Sequence, residues 1–388
     1  MRALPTNRSS MFNRYLSSRL IPLPHILTIE ITSYCNLECV MCPRTAGFVN
    51  TPSNRVISMD IIERLDPILG WINGVDLSGL WGEAFLHPEL YLEILERLKR
   101  RHIGVRTVSN GTLITEKLAE RLVVLKLDSV DISVDAARGE TYRKIRRGGE
   151  LEQVVNGITA INRFKKKHGS SFPEIKLLFL GLTDNIEELP EFVRLAHSLS
   201  VNRVMLQAMG EYEAVRGKSI ALRHKKLGLR WLREAEKRAR ELGVRMELFP
   251  PDQFQEEDLP SDEALRGRKP QQVKMQRRTK DCFFPWDRAV ITTGGDLLPC
   301  CAAPSPFGNL MEQSFKEIWY GEAYTHLRRS LLEGQLPPMC ASCTGQGWRT
   351  ASRSDTVRYL STLEGIRVKQ RLRRSPALRK VKNFVLRH

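Results

Sequence analysis

No run of eighteen apolar residues occurs anywhere in the 388-residue chain, which argues against a membrane-spanning helix. The first twenty residues, MRALPTNRSSMFNRYLSSRL, are basic but lack an apolar core and a small-residue cleavage site. They do not read as a secretory signal. Internal repeats and long low-complexity tracts are also missing. Cysteine is scarce, with eight in all and none between Cys42 and Cys282. With no export signal the thiols are expected in a reducing cytoplasm, where clustered cysteines mean metal or redox chemistry rather than disulfides. Acidic residues are outnumbered, 44 against 61 Lys and Arg, for a net charge of +17. The excess is uneven: residues 353–388 hold eleven Lys or Arg and two acids, and 264–280 form a second basic run. Such charge suits either a solvated surface or an anionic partner, whether a phosphorylated substrate, a nucleic acid, a lipid surface or an acidic redox protein.

What is present looks like an ordinary globular protein, 41% hydrophobic and 27% charged, long enough for two domains. From residue 25 strand-like and helix-like segments alternate. ILTIEIT, GVDLSGL, GVRTVSN, SVDISVDA, EIKLLFLGL and VNRVMLQAM read as six strands with helical stretches between them. This pattern predicts a parallel sheet with right-handed crossovers, either an open doubly wound sheet or a partial barrel. In both, function gathers at the C-terminal ends of strands. The unusual residues fall there: three cysteines after the first strand, WGEAF after the second, SNGT after the third and SVDA closing the fourth.

CNLECVMC places Cys35, Cys39 and Cys42 in a Cys-x3-Cys-x2-Cys loop. A cubane [4Fe–4S] cluster has four irons, so three thiolates on one loop hold three corners and leave one iron open to a small molecule. The competing readings are a zinc site with a distant ligand, or unrelated thiols. This loop resembles the signature of the radical S-adenosylmethionine (radical SAM) superfamily, and the resemblance runs through most of 25–215. It implies a partial (β/α)6 barrel and a [4Fe–4S] cluster whose open iron is chelated by S-adenosylmethionine. One electron then cleaves the sulfonium to a 5′-deoxyadenosyl radical that abstracts a substrate hydrogen atom. GLWGEAFLHP is similar to the family's Gly-Gly-Glu segment, which assigns Gly82 and Glu83 to the methionine amino group, with Trp81 in place of the first glycine. By the same resemblance Asn110, Ser133 and Asp135 reach the carboxylate and ribose of the cofactor. On their own, Asn110-Gly111 also suits a turn and Asp135 a helix cap.

The other cysteines form Cys282-x12-Gly295-x4-Cys300, then Cys340-x2-Cys343. TTGGD between RAVIT and LLPC predicts a β-hairpin, and the spacing alone suits zinc or iron–sulfur equally. The arrangement resembles the SPASM/twitch extension of radical SAM enzymes. That implies one auxiliary [4Fe–4S] cluster ligated by Cys282, Cys300, Cys340 and Cys343 and serving electron transfer. Cys301 is left over: a small buried residue beside the cluster, an alternative to Cys300 as ligand, or a thiol returning a hydrogen atom to a substrate radical. His87 is expected to cap or pack at a helix start. RRGG (146–149) reads as a helix end, or as an anion cradle.

The expected organisation is a basic N-terminal segment (1–24), the radical SAM core (25–215), a helix and basic linker (216–280), the auxiliary domain (281–348), a small β-hairpin/helix unit, and a basic tail (349–388). The leading expectation for the reaction is oxidation of a sugar- or cyclitol-like or other small substrate, with the auxiliary cluster as electron acceptor. Alternatives are radical epimerisation with Cys301 as donor, modification of a ribosomal peptide, or a non-enzymatic zinc-stabilised module binding nucleic acid. The resemblance implies a flavodoxin or ferredoxin as electron donor, which the basic surface would attract. Basic amphipathic stretches at both termini suit docking on the protein itself, or peripheral contact with the inner face of the membrane.

Overall fold

The computed structural model of the chain describes residues 21, 23–47, 55–78, 80–209, 215–221, 224–249, 254, 282, 284–301, 303–333 and 337–341. Cys343, the basic run 264–280 and the tail 349–388 lie outside the described residues. The six expected strands are β1 (Ile26–Glu30), β2 (Gly74–Ser78), β3 (Gly104–Ser109), β4 (Ser129–Ser133), β5 (Glu174–Leu180) and β6 (Arg203–Gln207), paired in parallel in chain order. Helices separate them. The first crossover holds two helices, α1 (Met59–Glu63) and α2 (Asp66–Leu69), the second restarting with Pro67 in its first turn. α3 (Pro88–Arg100) buries Tyr91, Leu92, Ile94, Leu95 and Leu98, one face at helical spacing. α4 (Glu116–Val124) is capped by Thr115, whose hydroxyl accepts from Leu118 N. The next crossover is again two helices, α5 (Gly139–Ile145) and α6 (Leu151–Lys167), broken by Arg146–Gly149. α7 (Leu189–Ser198) leads into β6.

Two features extend the expected pattern. After β6 the chain makes one more helix–strand pair, α8 (Lys225–Leu242), ended by Gly243 at φ +67°, and β7 (Arg245–Phe249), parallel to β6. RMELF hides as a strand because charge alternates along it. Glu247 pairs with Arg203 at 2.7 Å and with Lys176 of β5 at 3.5 Å, and Lys176 reaches Asp131 of β4 at 3.3 Å. Side chains two strands apart thus meet on one face of the sheet.

The second feature is that the hairpin is not a detached unit. After α9 (Phe284–Asp287), β8 (Arg288–Ile291) pairs in parallel with β1, so the sheet runs β10-β9-β8-β1-β2-β3-β4-β5-β6-β7. β9 (Asp296–Leu298) returns antiparallel to β8 around Gly295 at φ +84°, as the glycine-rich turn predicts, and β10 (Gly308–Asn309) completes the edge. Buried Glu30 pins this junction: its carboxylate accepts from Thr293 N at 3.2 Å and from Trp81 N at 3.4 Å. Burial raises its pKa above 4.5, against the two N–H donors. The folded state therefore holds the proton more tightly than the unfolded one. Its contribution is complete below pH 4.5 and is lost as pH rises through the folded pKa. Glu30→Gln is expected to flatten that pH dependence when denaturant unfolding is measured from pH 4 upward; an unchanged slope would contradict the assignment.

Candidate active site

The cysteine loop leaves the end of β1 and is held from three sides. Backbone N–H groups of Glu38 and Val40 donate to the carbonyls of Arg147 and Ile145, at 2.9 and 3.0 Å. The 145–149 break after α5 thus forms a back wall, with Gly148 at φ +90° and Gly149 pressed against Leu37. Asn36 joins the loop to the end of β3, donating to Thr112 Oγ1 and accepting from Asn110 Nδ2, both at 2.9 Å. On the third side Glu83 N donates to Tyr34 O at 2.8 Å. Here Gly82 lies so close that a Cβ would sit 2.5 Å from Tyr34 O and closer still to Thr32 O. Only glycine fits this contact.

Donors approach the sulfurs. Leu37 N lies 3.4 Å from Cys35 Sγ and Asn110 Nδ2 4.0 Å from it, while Arg146 Nη1 lies 3.9 Å from Cys39 Sγ. Burial raises the Cys35 thiol and pushes Cys39 up to about 11; Cys35 also responds electrostatically to Cys42, and Cys39 to both Cys35 and Cys42. Buried, mutually interacting thiols facing N–H donors suit thiolates whose charge an iron–sulfur cluster balances, with hydrogen bonds to sulfur that tune it. The hydroxyl of Tyr142, buried without a hydrogen-bond partner and electrostatically coupled to Cys39, is a further sign of a group that completes the site. Among the described residues no three His, Cys, Asp or Glu side chains converge on a single metal ion.

The residues expected to bind the cofactor take distinct places. Gly82 offers backbone at the loop. Glu83 is turned inward: Ser109 Oγ (2.6 Å), Phe85 N (3.1 Å) and Asn110 N (2.7 Å) all donate to it. It braces Asn110, which in turn meets the cysteine loop. Ser133 is half-buried at the end of β4. Asp135 does not cap a helix. It sits at φ +63°, accepts from Leu180 N at 2.7 Å, and pairs with Arg146 at 2.8 and 2.5 Å. Burial opposes the Arg146 charge, yet Asp135, Cys39 and Tyr142 together hold its pKa above the ordinary value. Arg146 thus links Asp135 to the cysteine loop; RRGG does end a helix, as one of its two readings expected, and the link to Asp135 is an addition to both. His87 starts α3 without a side-chain cap, its Nε2 buried and unpartnered.

In the C-terminal region Cys282 and Cys340 pack in one apolar cluster with Ile21, Trp286, Leu327 and Leu331. Cys300 follows β9 and Cys301 is exposed.

The same two regions match known families. Residues 29–196 match the radical SAM superfamily and 282–344 the SPASM iron–sulfur cluster-binding domain. The probable GTP 3′,8-cyclase of Methanocaldococcus jannaschii is 29% identical over 194 residues, 49% of this chain and 61% of that protein. The AdoMet-dependent heme synthase of Methanosarcina barkeri is 24% identical over 343 residues, 84% of this chain and 92% of that protein. The chain spans between half and two thirds of the length of the cyclases it matches. Among solved structures, Streptococcus suis SuiB bound to S-adenosylmethionine superposes with a TM-score of 0.59 at 16% identity, over 90% of this chain and 80% of SuiB; SuiB is also solved with its precursor peptide SuiA. The three-thiol loop, the Gly82 cradle and the SPASM cysteines therefore have one common source: the chain belongs to the radical SAM superfamily and carries a SPASM-type iron–sulfur cluster-binding domain.

Proposed function

We propose that the protein is a radical SAM oxidoreductase that dehydrogenates a sugar- or cyclitol-like or other small substrate. Cys35, Cys39 and Cys42 would hold the cluster that binds S-adenosylmethionine, and Cys282, Cys300, Cys340 and Cys343 the auxiliary one. When bound, these groups supply a hydrogen-abstracting 5′-deoxyadenosyl radical and a one-electron acceptor. The chain's own part is to present Gly82 backbone to the cofactor and to keep the loop rigid through Asn36, Asn110 and Arg146. The substrate C–H must be held near the radical carbon, shielded from water and stray hydrogen donors.

The observation that carries the oxidative reading is the exposure of Cys301. A thiol that quenches a substrate radical needs a sheltered position beside the substrate, and an exposed one is poorly placed for epimerisation. Peptide modification is the second reading, favoured by the likeness in fold to SuiB, whose structure with a precursor peptide marks that fold as able to admit one. Oxidation predicts a product two mass units lighter than substrate, no solvent deuterium at the reacting carbon, and undiminished turnover in Cys301→Ala. Deuterium retained at that carbon, with turnover lost in Cys301→Ala, would establish epimerisation instead. The same assay with a peptide library separates the second reading from the first.

A further inference from the structure

Helix α11 (Glu322–Glu333), which follows α10 (Phe315–Trp319), buries Tyr324, Leu327, Arg328 and Leu331 at helical spacing. Two of the SPASM cysteines lie against this face. Cys282 and Cys340 pack with Leu327 and Leu331, and Cys300 acts electrostatically on Tyr324. Among them Arg328 is fully buried. Its Nε donates to Pro285 O and its Nη1 to Trp319 O, each at 2.8 Å. The guanidinium lies over the rings of Trp319 at 4.4 Å and Tyr324 at 4.8 Å. Its Nη2 has no hydrogen-bond partner, and it forms no ion pair among the described residues. Burial pulls its pKa down to about 10.

Two carbonyls and two aromatic faces offset part of the burial of this charge, but none supplies an opposite one. A cation placed in a core without an anion calls for one nearby. A [4Fe–4S] cluster with four thiolate ligands carries net negative charge, and that charge and the donors facing it set its potential. We infer that Arg328 is the counter-charge of the auxiliary cluster and raises its reduction potential, so that the cluster accepts electrons more readily. The inference rests on the cluster-binding reading of this domain and deepens the oxidative proposal. Arg328 is a positioning residue, acting on the cluster and not on substrate.

The test uses the full chain carrying Cys35→Ala, Cys39→Ala and Cys42→Ala, so that only auxiliary iron remains. This background should retain about four irons. If it holds none, the cluster reading fails and the inference with it. In the four-iron protein, potentiometric titration followed by electron paramagnetic resonance compares Arg328, Arg328→Lys and Arg328→Met. The methionine variant should show at least a tenfold lower ratio of reduced to oxidised cluster at fixed potential, about 59 mV for one electron, with lysine between. Equal potentials would overturn the inference. Should Arg328→Met not load, unfolding is compared in cluster-free protein made by Cys282→Ala and Cys300→Ala. The methionine substitution should no longer destabilise there, because the buried charge has lost its partner. Destabilisation of the cluster-free protein by the methionine substitution would show a purely structural arginine and overturn the inference.

Discussion

Gly82→Ala is expected to lower formation of 5′-deoxyadenosine by 100-fold or more and to loosen the first cluster. The alanine Cβ would lie within 2.5 Å of the Tyr34 carbonyl oxygen and closer still to that of Thr32. Both are backbone atoms of the β1 end and the cysteine loop, so no side chain can swing away to make room. Either 81–83 moves off the loop, breaking the Glu83 N to Tyr34 O bond, or the loop moves with Cys35. Overpacking of this kind costs about 1–3 kcal/mol, and a displacement near 1 Å at a reacting site costs about 100-fold in rate. Iron content and cofactor cleavage, measured on the same anaerobic preparation, check this. Wild-type values for both would mean that the close approach of Gly82 to the loop has no part in the site.

The second large effect is expected from Asp135→Ala. It removes the carboxylate that pairs with buried Arg146 at 2.5 Å and accepts from Leu180 N. Breaking a buried pair from one side leaves an uncompensated charge and costs about 3–5 kcal/mol. Because Arg146 also touches Cys39 and its neighbours hold the loop backbone, the loss should extend to iron retention. The double variant Asp135→Leu with Arg146→Met removes both charges and should recover much of the stability without restoring cofactor cleavage. Denaturant unfolding of the two variants measures the difference. Equal stability of the single and double variants would mean that the ion pair does not couple these positions.

The alternation of β-branched strands and helices from Ile26 to Gln207 was readable because each strand buries apolar residues on at least one face, at period two, and each long helix buries one stripe. The cysteine loop was readable because thiol spacing is itself the chemistry. β7 escaped notice because its inward positions carry the charges of Arg203's partner Glu247 rather than apolar side chains. The parallel pairing of β8 with β1 joins residues more than 250 positions apart, and no local pattern encodes such a contact. Glu83 illustrates a subtler limit. Its place beside Gly82 was legible, but a sequence does not show that its carboxylate accepts from three donors of its own chain. Arg146 and Arg328 were hidden for a related reason: in a chain with 61 basic residues, two buried guanidinium groups look like any others until their burial is known.

On the proposed reading Cys35, Cys39 and Cys42 hold the cluster that cleaves S-adenosylmethionine, and a second cluster sits in the SPASM domain. The most direct measurement is 5′-deoxyadenosine produced by anaerobically reconstituted protein with dithionite and S-adenosylmethionine, beside its iron content. The wild-type chain should hold about eight irons and form the product; the triple variant Cys35→Ala, Cys39→Ala, Cys42→Ala should keep about four and form none. A chain that purifies with zinc and takes up no iron, or forms no product when fully loaded, would contradict the account.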